Sequence, residues 1–565
     1  MRFEDLVYER PDFDGLVGEI SSLLDKLSRS KDREKFFDLH KKIEDYFLNI
    51  YELYNIVSIR NSINTKDEFY DKELKIFYDN MPRFDELKHK LSTIRLESKF
   101  RSDFEEKYGK TITMRDKLQE DTFDPSIMED RIAESKLVNE YYKLTGGAEI
   151  EFRGEIKNIS GLLAITQDRD RDTRREAFEA LNGWFAANMD RLDKIYDDLV
   201  KLRTKIANKL GFETYTPVAY KLMGRLDWDS RDARKYREQI LEHIVPLSQK
   251  IYAYQAQRIG IENMKYYDLP LSFLSGNPKP IGDEKVLVNK ALEMYKDLSE
   301  ETGEFFEAMV DKGMMDLTTK DGKAPGGYMT SLPLTQMPFI FSNFNGTSGD
   351  VDVLTHEAGH AFQGYLTRDM YPSENNDLTM EIAETHSMSM EFFTHPWMEE
   401  FFGEDREKYY YDHIASSIKF IPYGASIDEF QEYVYANPSA SPEERRAKYR
   451  EIEKKYLPHL DYDGNEYLEN GGRWQRQLHL YTDPFYYIDY TIAQINAFQY
   501  FVMDMENHEK AWDSYIKLCK ISASLPTKEA LREVGLESPF DDGTIEKILP
   551  KLTDYLESLD KDKIK

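Results

Sequence analysis

The stretch His356-Glu357-Ala358-Gly359-His360 follows the pattern H-E-x-x-H. We predict that it lies on a helix, because residues four apart then leave one face and both imidazoles can reach the same metal ion. Neutral imidazole nitrogens suit zinc, and Glu357 can act as the general base. The alternative is a pair of ordinary surface histidines with a solvated glutamate. Because the chain has only 11 histidines in 565 residues, a chance match is disfavoured.

The third ligand of such a site must come from elsewhere in the chain. A catalytic zinc ion usually has three protein ligands and one open position. The longer motif that supplies a third histidine is excluded, since Gln363 and Leu366 stand where it requires Gly and His. The next acidic helix offers Glu381, Glu384 and Glu391, and their spacing alone does not choose among them.

The composition indicates a soluble globular protein with a strongly acidic surface. Hydrophobic residues make up 40% of the chain, charged residues 32%, and the net charge is -29. This charge argues against nucleic acid as a partner, because phosphate binding needs a basic face. The sequence contains no apolar run of about 18 residues, so it predicts no membrane span. No signal peptide is visible either, and we therefore expect a cytoplasmic location. Cys519 is the only cysteine, which excludes an intramolecular disulfide.

The spacing of apolar residues predicts a mainly α-helical protein. Periodic patterns typical of helices cover residues 12–110, 172–210, 229–260 and 285–312. Pro338 to Phe344 is predicted to form a strand, as part of a small β-sheet beside the zinc site. We expect one continuous fold with three approximate regions. These are an N-terminal helical region (1–110), a helical region packing on the catalytic part (111–317) and the catalytic region (318–565).

These motifs resemble the thimet oligopeptidase family, and more narrowly its oligoendopeptidase F and Pz-peptidase branch. The resemblance rests on the H-E-x-x-H pentapeptide, on Ala383-Glu384 with Glu391 seven residues later, and on residues 339–347 and 171–215. It covers most of the chain from about residue 145. It implies that His356, His360 and Glu384 hold one zinc ion per chain. It also implies a large helical body of two lobes around a deep substrate channel, which admits short peptides and excludes folded proteins.

A second cluster of candidates follows His479. A phenol can donate a hydrogen bond to a developing oxyanion without losing its proton. The resemblance implies this role for His479, Tyr487 and Tyr490, although Tyr486 competes for the same register. The alternative is an aromatic stripe that belongs to the core.

Three residues are predicted to contact the substrate, namely Tyr486, Phe341 and Gly327. We further expect the strand from Pro338 to Phe344 to pair with the extended backbone of the substrate.

The function expected from these patterns is zinc-dependent hydrolysis of internal bonds in short peptides. A metal-activated water would attack the carbonyl, with Glu357 as general base. One alternative is a carboxypeptidase or dipeptidase with the same site, and another is a helical peptide-binding protein without catalysis. Cobalt or manganese could also replace zinc, because the ligand types do not fix the metal. We expect short peptides as partners and neither nucleic acid nor membrane, while the sequence leaves the oligomeric state undetermined.

Overall fold

A computed structural model describes residues 1–565, and it is built almost entirely of helices. Its first twelve helices are α1 (Phe13–Ser28), α2 (Arg33–Ile63), α3 (Glu68–Glu97), α4 (Arg101–Tyr108), α5 (Thr111–Thr122), α6 (Met128–Gly146), α7 (Ile159–Ile165), α8 (Arg171–Ala187), α9 (Met189–Lys209), α10 (Tyr215–Leu222), α11 (Ser230–Gln239) and α12 (Val245–Ile259). The others are α13 (Glu284–Leu298), α14 (Glu300–Lys312), α15 (Gly349–Leu366), α16 (Met380–Phe393), α17 (Met398–Phe402), α18 (Arg406–Ala436), α19 (Pro442–Tyr456), α20 (Glu466–Glu469), α21 (Leu478–Thr482), α22 (Tyr487–Glu506), α23 (His508–Ile521), α24 (Thr527–Glu533) and α25 (Thr544–Ser558).

The mainly α prediction is therefore confirmed, with local breaks that the periodic patterns did not show. The pattern over 172–210 forms two helices that meet at Asn188, and the pattern over 285–312 is divided at Ser299. A π-helical segment, Ile240–Ile244, lies between α11 and α12. Two short sheets are also present, together with several 3-10 turns. Their strands are β1 (Ile150–Phe152), β2 (Glu155–Lys157), β3 (Met315–Thr318), β4 (Tyr328–Leu332) and β5 (Met337–Phe344).

The chain divides into two compact units, each made of three separate segments. Unit 1 comprises Met1–Asp121, Lys279–Gly403 and Gln499–Leu536. Unit 2 comprises Thr122–Pro278, Glu404–Phe498 and Glu537–Lys565. The three consecutive regions expected from the sequence stay a prediction about chain order. No helix of the protein combines the length and the apolar character that a membrane crossing requires.

In unit 1, β5 is the central strand of a three-stranded sheet. It pairs in parallel with β3 and antiparallel with β4, so both of its edges carry hydrogen-bonded neighbours. Most of its side chains are buried, and α15 packs directly on it. The expectation that this strand pairs with a substrate backbone is therefore wrong, because its backbone groups are already used. The predicted small sheet itself is present and supports the helix that carries the H-E-x-x-H motif.

The N-terminal helices of unit 1 form their own apolar core. Helices α1, α2 and α3 contact one another, and α2 also contacts β4. Their buried side chains are mostly Phe, Leu and Ile, including Leu24, Phe47, Phe77 and Phe84. Burying a side chain of this size contributes about 1.5–3 kcal/mol. This packing fixes α2 and α3 beside the sheet.

Candidate metal centre and active site

The two histidines of the motif lie one turn apart on α15, as the spacing predicts. The ring centroids of His356 and His360 are 5.0 Å apart. Their side chains keep 22% and 16% of their exposure, so both are sheltered but reachable. The helix therefore presents two imidazoles on one face.

Glu384 of α16 completes a cluster of three potential ligands. Its Oε2 atom lies 3.2 Å from His356 Nε2 and 3.5 Å from His360 Nε2. One donor atom from each of the three side chains lies within 4.8 Å of the other two. Two imidazole nitrogens and one carboxylate oxygen are a ligand set that zinc binds in catalytic sites. The residues present thus fit a zinc ion.

Gly359 allows α15 and α16 to approach closely enough for this cluster to form. A Cβ atom at Gly359 would lie 2.7 Å from the Cα of Ser387 and 2.8 Å from the backbone oxygen of His386. Both distances are far inside van der Waals contact, so a residue with a side chain would force the helices apart. The H-E-x-x-H pattern leaves this position open, so the motif alone predicts no role for Gly359.

The other two carboxylates of α16 have different partners. Glu391 Oε1 lies 2.6 Å from Nδ1 of His356, on the side of the ring opposite Glu384. Thr527 donates a hydrogen bond of 2.5 Å to Oε1 of Glu381, which is fully buried. A carboxylate on the second ring nitrogen fixes the orientation of a ligand histidine. The structure therefore separates three carboxylates that spacing could not distinguish.

The charges of these groups depend strongly on one another. Burial lowers the pKa of His356, but hydrogen bonds and charges from Glu384 and Glu391 outweigh burial and hold that pKa well above its ordinary value. Burial raises the pKa of Glu384, yet hydrogen bonds from His356 and His360 hold it well below its usual range. Glu384 is thus an anion beside the two imidazoles. Its charge favours either protonation of the imidazoles or the binding of a cation.

Glu357 lies beside this cluster with one oxygen that has no partner. Its side chain is buried, and its Oε2 atom makes no hydrogen bond within the protein. Burial raises the pKa of Glu357, while the charges of His356 and His360 act in the opposite sense. A buried carboxylate with a free oxygen is suited to accept a proton from a bound molecule.

Gly327 lies against this glutamate. A Cβ atom at Gly327 would be 3.7 Å from Glu357 Oε1. The loop before β4 is held in place by Asn343 of β5, whose side-chain nitrogen donates hydrogen bonds of 2.8 Å to the backbone oxygens of Ala324 and Gly326. The absence of a side chain at Gly327 keeps the space beside Glu357 open.

Phe341, a predicted substrate contact, pairs with Tyr328 in the sheet beside Gly327. It is fully buried and stacks on Tyr328 with ring centroids 4.9 Å apart. The ammonium group of Lys323 lies 4.6 Å from the ring centroid. Because Phe341 is enclosed in the middle of β5, its contact with substrate stays a prediction. Its apolar neighbourhood in the sequence is explained by the core of the sheet.

His479 and the three tyrosines form a separate cluster in unit 2. The ring centroid of His479 lies 5.4, 5.0 and 5.8 Å from those of Tyr486, Tyr487 and Tyr490. All four side chains are half-buried. Burial raises the pKa of Tyr487 well above its ordinary value, so this phenol keeps its proton. The structure thus groups the residues that the sequence analysis placed together.

Gln477 and Tyr423 extend this cluster, and sequence reasoning missed both. The hydroxyl of Tyr423 donates a 2.8 Å hydrogen bond to Oε1 of Gln477. The amide nitrogen of Gln477 lies 2.8 Å from Nδ1 of His479. Since an amide nitrogen only donates, Nδ1 is the acceptor and the ring proton of neutral His479 lies on Nε2. The i, i+2 spacing of Gln477 and His479 was the only signal in the sequence.

Two protein-family models match this chain. The model for the peptidase M3 N-terminal domain matches residues 3–123, and the model for peptidase family M3 matches residues 164–549. An oligoendopeptidase F homolog of Lactococcus lactis subsp. lactis is 22% identical over 390 residues, which are 67% of this chain and 62% of that protein. The chain thus matches somewhat less than two thirds of the length of this relative.

Solved structures agree over the full length. Pz peptidase A, determined with an inhibitor, is 43% identical with a TM-score of 0.95, and the match covers 100% of both chains. A structure assigned to oligoendopeptidase F of Bacillus anthracis str. Ames is 41% identical with a TM-score of 0.90, covering 100% of this chain and 99% of that one. From the matched models, the identity and the shared fold, we conclude that the chain belongs to peptidase family M3.

Proposed function

We propose that this protein is a zinc-dependent oligoendopeptidase, which hydrolyses internal bonds of short peptides. The observation that carries the proposal is the convergence of His356 Nε2, His360 Nε2 and Glu384 Oε2 beside the unpartnered oxygen of Glu357. Membership of peptidase family M3 supports it, as do the oligoendopeptidase names of the relatives.

The three ligands would hold one zinc ion per chain. When bound, zinc lowers the pKa of water to about 7 and polarises a carbonyl group. Glu391 would keep the Nδ1 proton of His356 in place, so that its Nε2 faces the ion with a lone pair. Elemental analysis of the purified protein identifies the metal, and cobalt or manganese in place of zinc would correct this part of the proposal.

Glu357 would move the proton during hydrolysis. Its free oxygen accepts a proton from the attacking water, and the same carboxyl group then returns a proton to the nitrogen of the leaving amine as the C–N bond breaks. His479, Tyr487 and Tyr490 would donate hydrogen bonds to the oxygen that becomes negative. Tyr486 and Gly327 would contact the substrate.

The first test is the variant Glu357→Gln. We expect it to retain its metal and its fold, and to lose between 10²-fold and 10⁴-fold in kcat, the range typical of general acid–base catalysis. Glu381→Gln is the matched control, since it changes a buried carboxylate of α16 that is bonded to Thr527. Unchanged activity of Glu357→Gln with full metal content would refute the proposed mechanism.

The second test concerns the type of cleavage. A peptide blocked at both ends is cut by an endopeptidase and left intact by a carboxypeptidase. Mass spectrometry should therefore show two fragments, each of which carries one of the blocked ends. Removal of the metal with a chelator should abolish this cleavage, and added zinc should restore it.

A further inference from the structure

A cavity of about 370 Å³ lies beside the candidate metal centre, within unit 1. His360 forms part of its wall, so the cavity is continuous with the metal ligands. The other walls come from the end of α15, from β4, from α2 and α3, and from residues 370–378. Its volume is near the lower end of the range for ligand pockets, about 300–1,000 Å³. It has room for one large side chain.

Gly364 opens this cavity between α15 and β4. It follows His360 by four residues and therefore lies on the same face of the helix. A Cβ atom at Gly364 would lie 3.5 Å from Ser331 Oγ and 3.9 Å from the methyl group of Met329, both of which line the cavity. One added carbon is tolerated at these distances, whereas a longer side chain would extend into the cavity itself.

The lining offers an apolar surface to a ligand. Its apolar members include Phe47, Leu48, Leu91, Leu332, Met337 and Met370. Methionine side chains adapt to ligands of different shapes.

Each charged group of the lining has at least one partner in the protein, although the buried Oε2 atoms of Glu44 and Glu374 accept no hydrogen bond. Glu374 accepts a hydrogen bond of 2.5 Å from Arg95, and Lys88 lies 3.7 Å from Asp377. Glu44 accepts a hydrogen bond from the backbone nitrogen of Ser373. An uncharged ligand would leave these pairs intact, while a charged one would compete with them.

We propose that this cavity is a specificity subsite, which binds a large apolar side chain of the peptide residue next to the scissile bond, and that Gly364 determines its depth. The inference rests on the proposed peptidase function. It adds the class of side chain that the protein selects and names the residue that sets the selection.

The experiment compares Gly364→Leu and Gly364→Ala with the wild-type protein. The probes are short peptides, blocked at both ends, in which one residue beside the scissile bond is Ala, Leu or Phe. In one series of peptides this residue precedes the scissile bond, and in the other series it follows the bond. In one of the two series we expect the wild-type protein to prefer Leu and Phe to Ala in kcat/KM.

Gly364→Leu should lower kcat/KM for the Leu and Phe peptides of that series at least tenfold. The Ala peptide, whose side chain is too short to fill the pocket, should stay within about threefold of its wild-type kcat/KM. The tenfold loss is the low end of the roughly 10- to 200-fold discrimination that hydrophobic pockets give between side chains. Gly364→Ala should shift the preference less and in the same direction. Since Ala favours the helix more than Gly does, this second variant should fold.

Gly18→Leu is the matched control, because a Cβ atom at this helical glycine of α1 meets nothing within 4 Å. It should leave the preference unchanged. An unaltered preference in both Gly364 variants overturns the subsite, and so does an equal loss for all peptides in Gly364→Leu. A wild-type protein that cleaves none of the peptides defeats the proposed function itself, which separates the two failures.

Discussion

At the scale of the residue, the candidate site depends on side chains that touch the ligands rather than on the ligands alone. His356 is contacted on both ring nitrogens, by Glu384 at Nε2 and by Glu391 at Nδ1. His479 is contacted at Nδ1 by Gln477. In both cases the neighbour at Nδ1 orients the ring, Glu391 as a hydrogen-bond acceptor and Gln477 as a donor. The chemistry of each histidine is therefore set by a residue outside the recognised motifs.

The variant Glu391→Ala tests this for the metal centre. We expect a loss of metal affinity of about 10- to 100-fold, the usual effect of removing the partner of a ligand histidine. Competition with a chelator of known affinity measures this directly. Glu381→Ala serves as the comparison, because its carboxylate contacts Thr527. Equal metal affinities in the wild-type protein and Glu391→Ala would show that metal binding does not depend on the carboxylate at Nδ1 of His356.

The variant Gln477→Met tests the orientation of His479. Met has a similar length but no amide, so the ring proton of His479 is no longer directed to Nε2. We expect kcat to fall about tenfold, which is less than the 10²–10³ found on losing an oxyanion donor outright.

The pH–rate profile of Gln477→Met should change on its acidic side, a change that a purely structural defect would not produce. Tyr423→Phe, which only frees the amide to rotate, should give a smaller loss. If neither variant alters kcat, the hydrogen-bonded chain from Tyr423 through Gln477 has no part in catalysis.

At the scale of the element, the close packing of α15 and α16 determines whether the three candidate metal ligands can meet. The spacing of His356 and His360 is a property of one helix, whereas their distance to Glu384 depends on how two helices pack. Gly359 permits that packing, because a Cβ atom there would lie 2.7 Å from the Cα of Ser387.

Gly359→Ala is therefore expected to weaken both the fold and the metal site. Overpacking costs about 1–3 kcal/mol, which exceeds the gain of up to about 1 kcal/mol that Ala brings to a helix. Denaturant unfolding of the metal-free protein and elemental analysis provide the two measurements. Gly18→Ala in α1, where nothing lies within 4 Å, should be neutral or stabilising. A stabilised, fully metal-loaded Gly359→Ala would contradict the close-packing argument.

A buried polar network joins α2, α3 and α5 of unit 1. Arg95 donates hydrogen bonds to Asp116 and lies 3.1 Å from Nε2 of His40, whose Nδ1 lies 2.9 Å from the hydroxyl of Tyr371. Burial, followed by the positive charge of Arg95, lowers the pKa of His40 to about 3 from its ordinary value of 6.5. His40 is thus neutral in the folded protein.

This network predicts a loss of stability in acid. Between about pH 6.5 and 3 the unfolded chain binds a proton at His40 that the folded protein does not bind. The contribution of neutral His40 is therefore complete above pH 6.5 and is lost as the pH falls, by up to about 1.4 kcal/mol per pH unit. Urea unfolding of the metal-free protein from pH 7 to 4 measures how the free energy of unfolding depends on pH. This dependence should be less steep for His40→Gln than for the wild-type protein. Equal slopes in the wild-type protein and in His40→Gln would refute the assignment.

At the scale of the whole molecule, accessibility limits which molecules can reach the candidate site. The candidate ligands keep small exposed fractions, 22% for His356, 16% for His360 and 5% for Glu384. A flexible peptide can reach such groups, whereas a folded protein would have to unfold locally first. The net charge of -29 also favours encounter with cationic peptides at low salt.

We therefore expect rapid cleavage of a short peptide and little cleavage of the same sequence within a stable folded protein. Electrophoresis and mass spectrometry of both reactions make the comparison. A destabilised mutant of the folded substrate should be cut faster than its parent. Comparable rates for the free peptide and the stable protein would remove the size limit from the proposed function.

The local features of this protein could be predicted from its amino-acid sequence. The helical periodicities, the strand before the motif and the one-turn spacing of His356 and His360 are all encoded within short windows, so the mainly α class and the two imidazoles could be predicted from them. The family resemblance then selected Glu384, because spacing on α16 left three carboxylates equivalent.

The contacts between distant segments became visible in the three-dimensional structure. It gave Glu381, Glu384 and Glu391 different partners, placed Phe341 in the interior of the sheet, and brought Tyr423 to Gln477. The cavity at Gly364 likewise requires α2, α3, α15 and β4 together. The physical reason is that periodicity fixes the face of an element on which a side chain lies, whereas its partners depend on the packing of that face against residues far away in the chain.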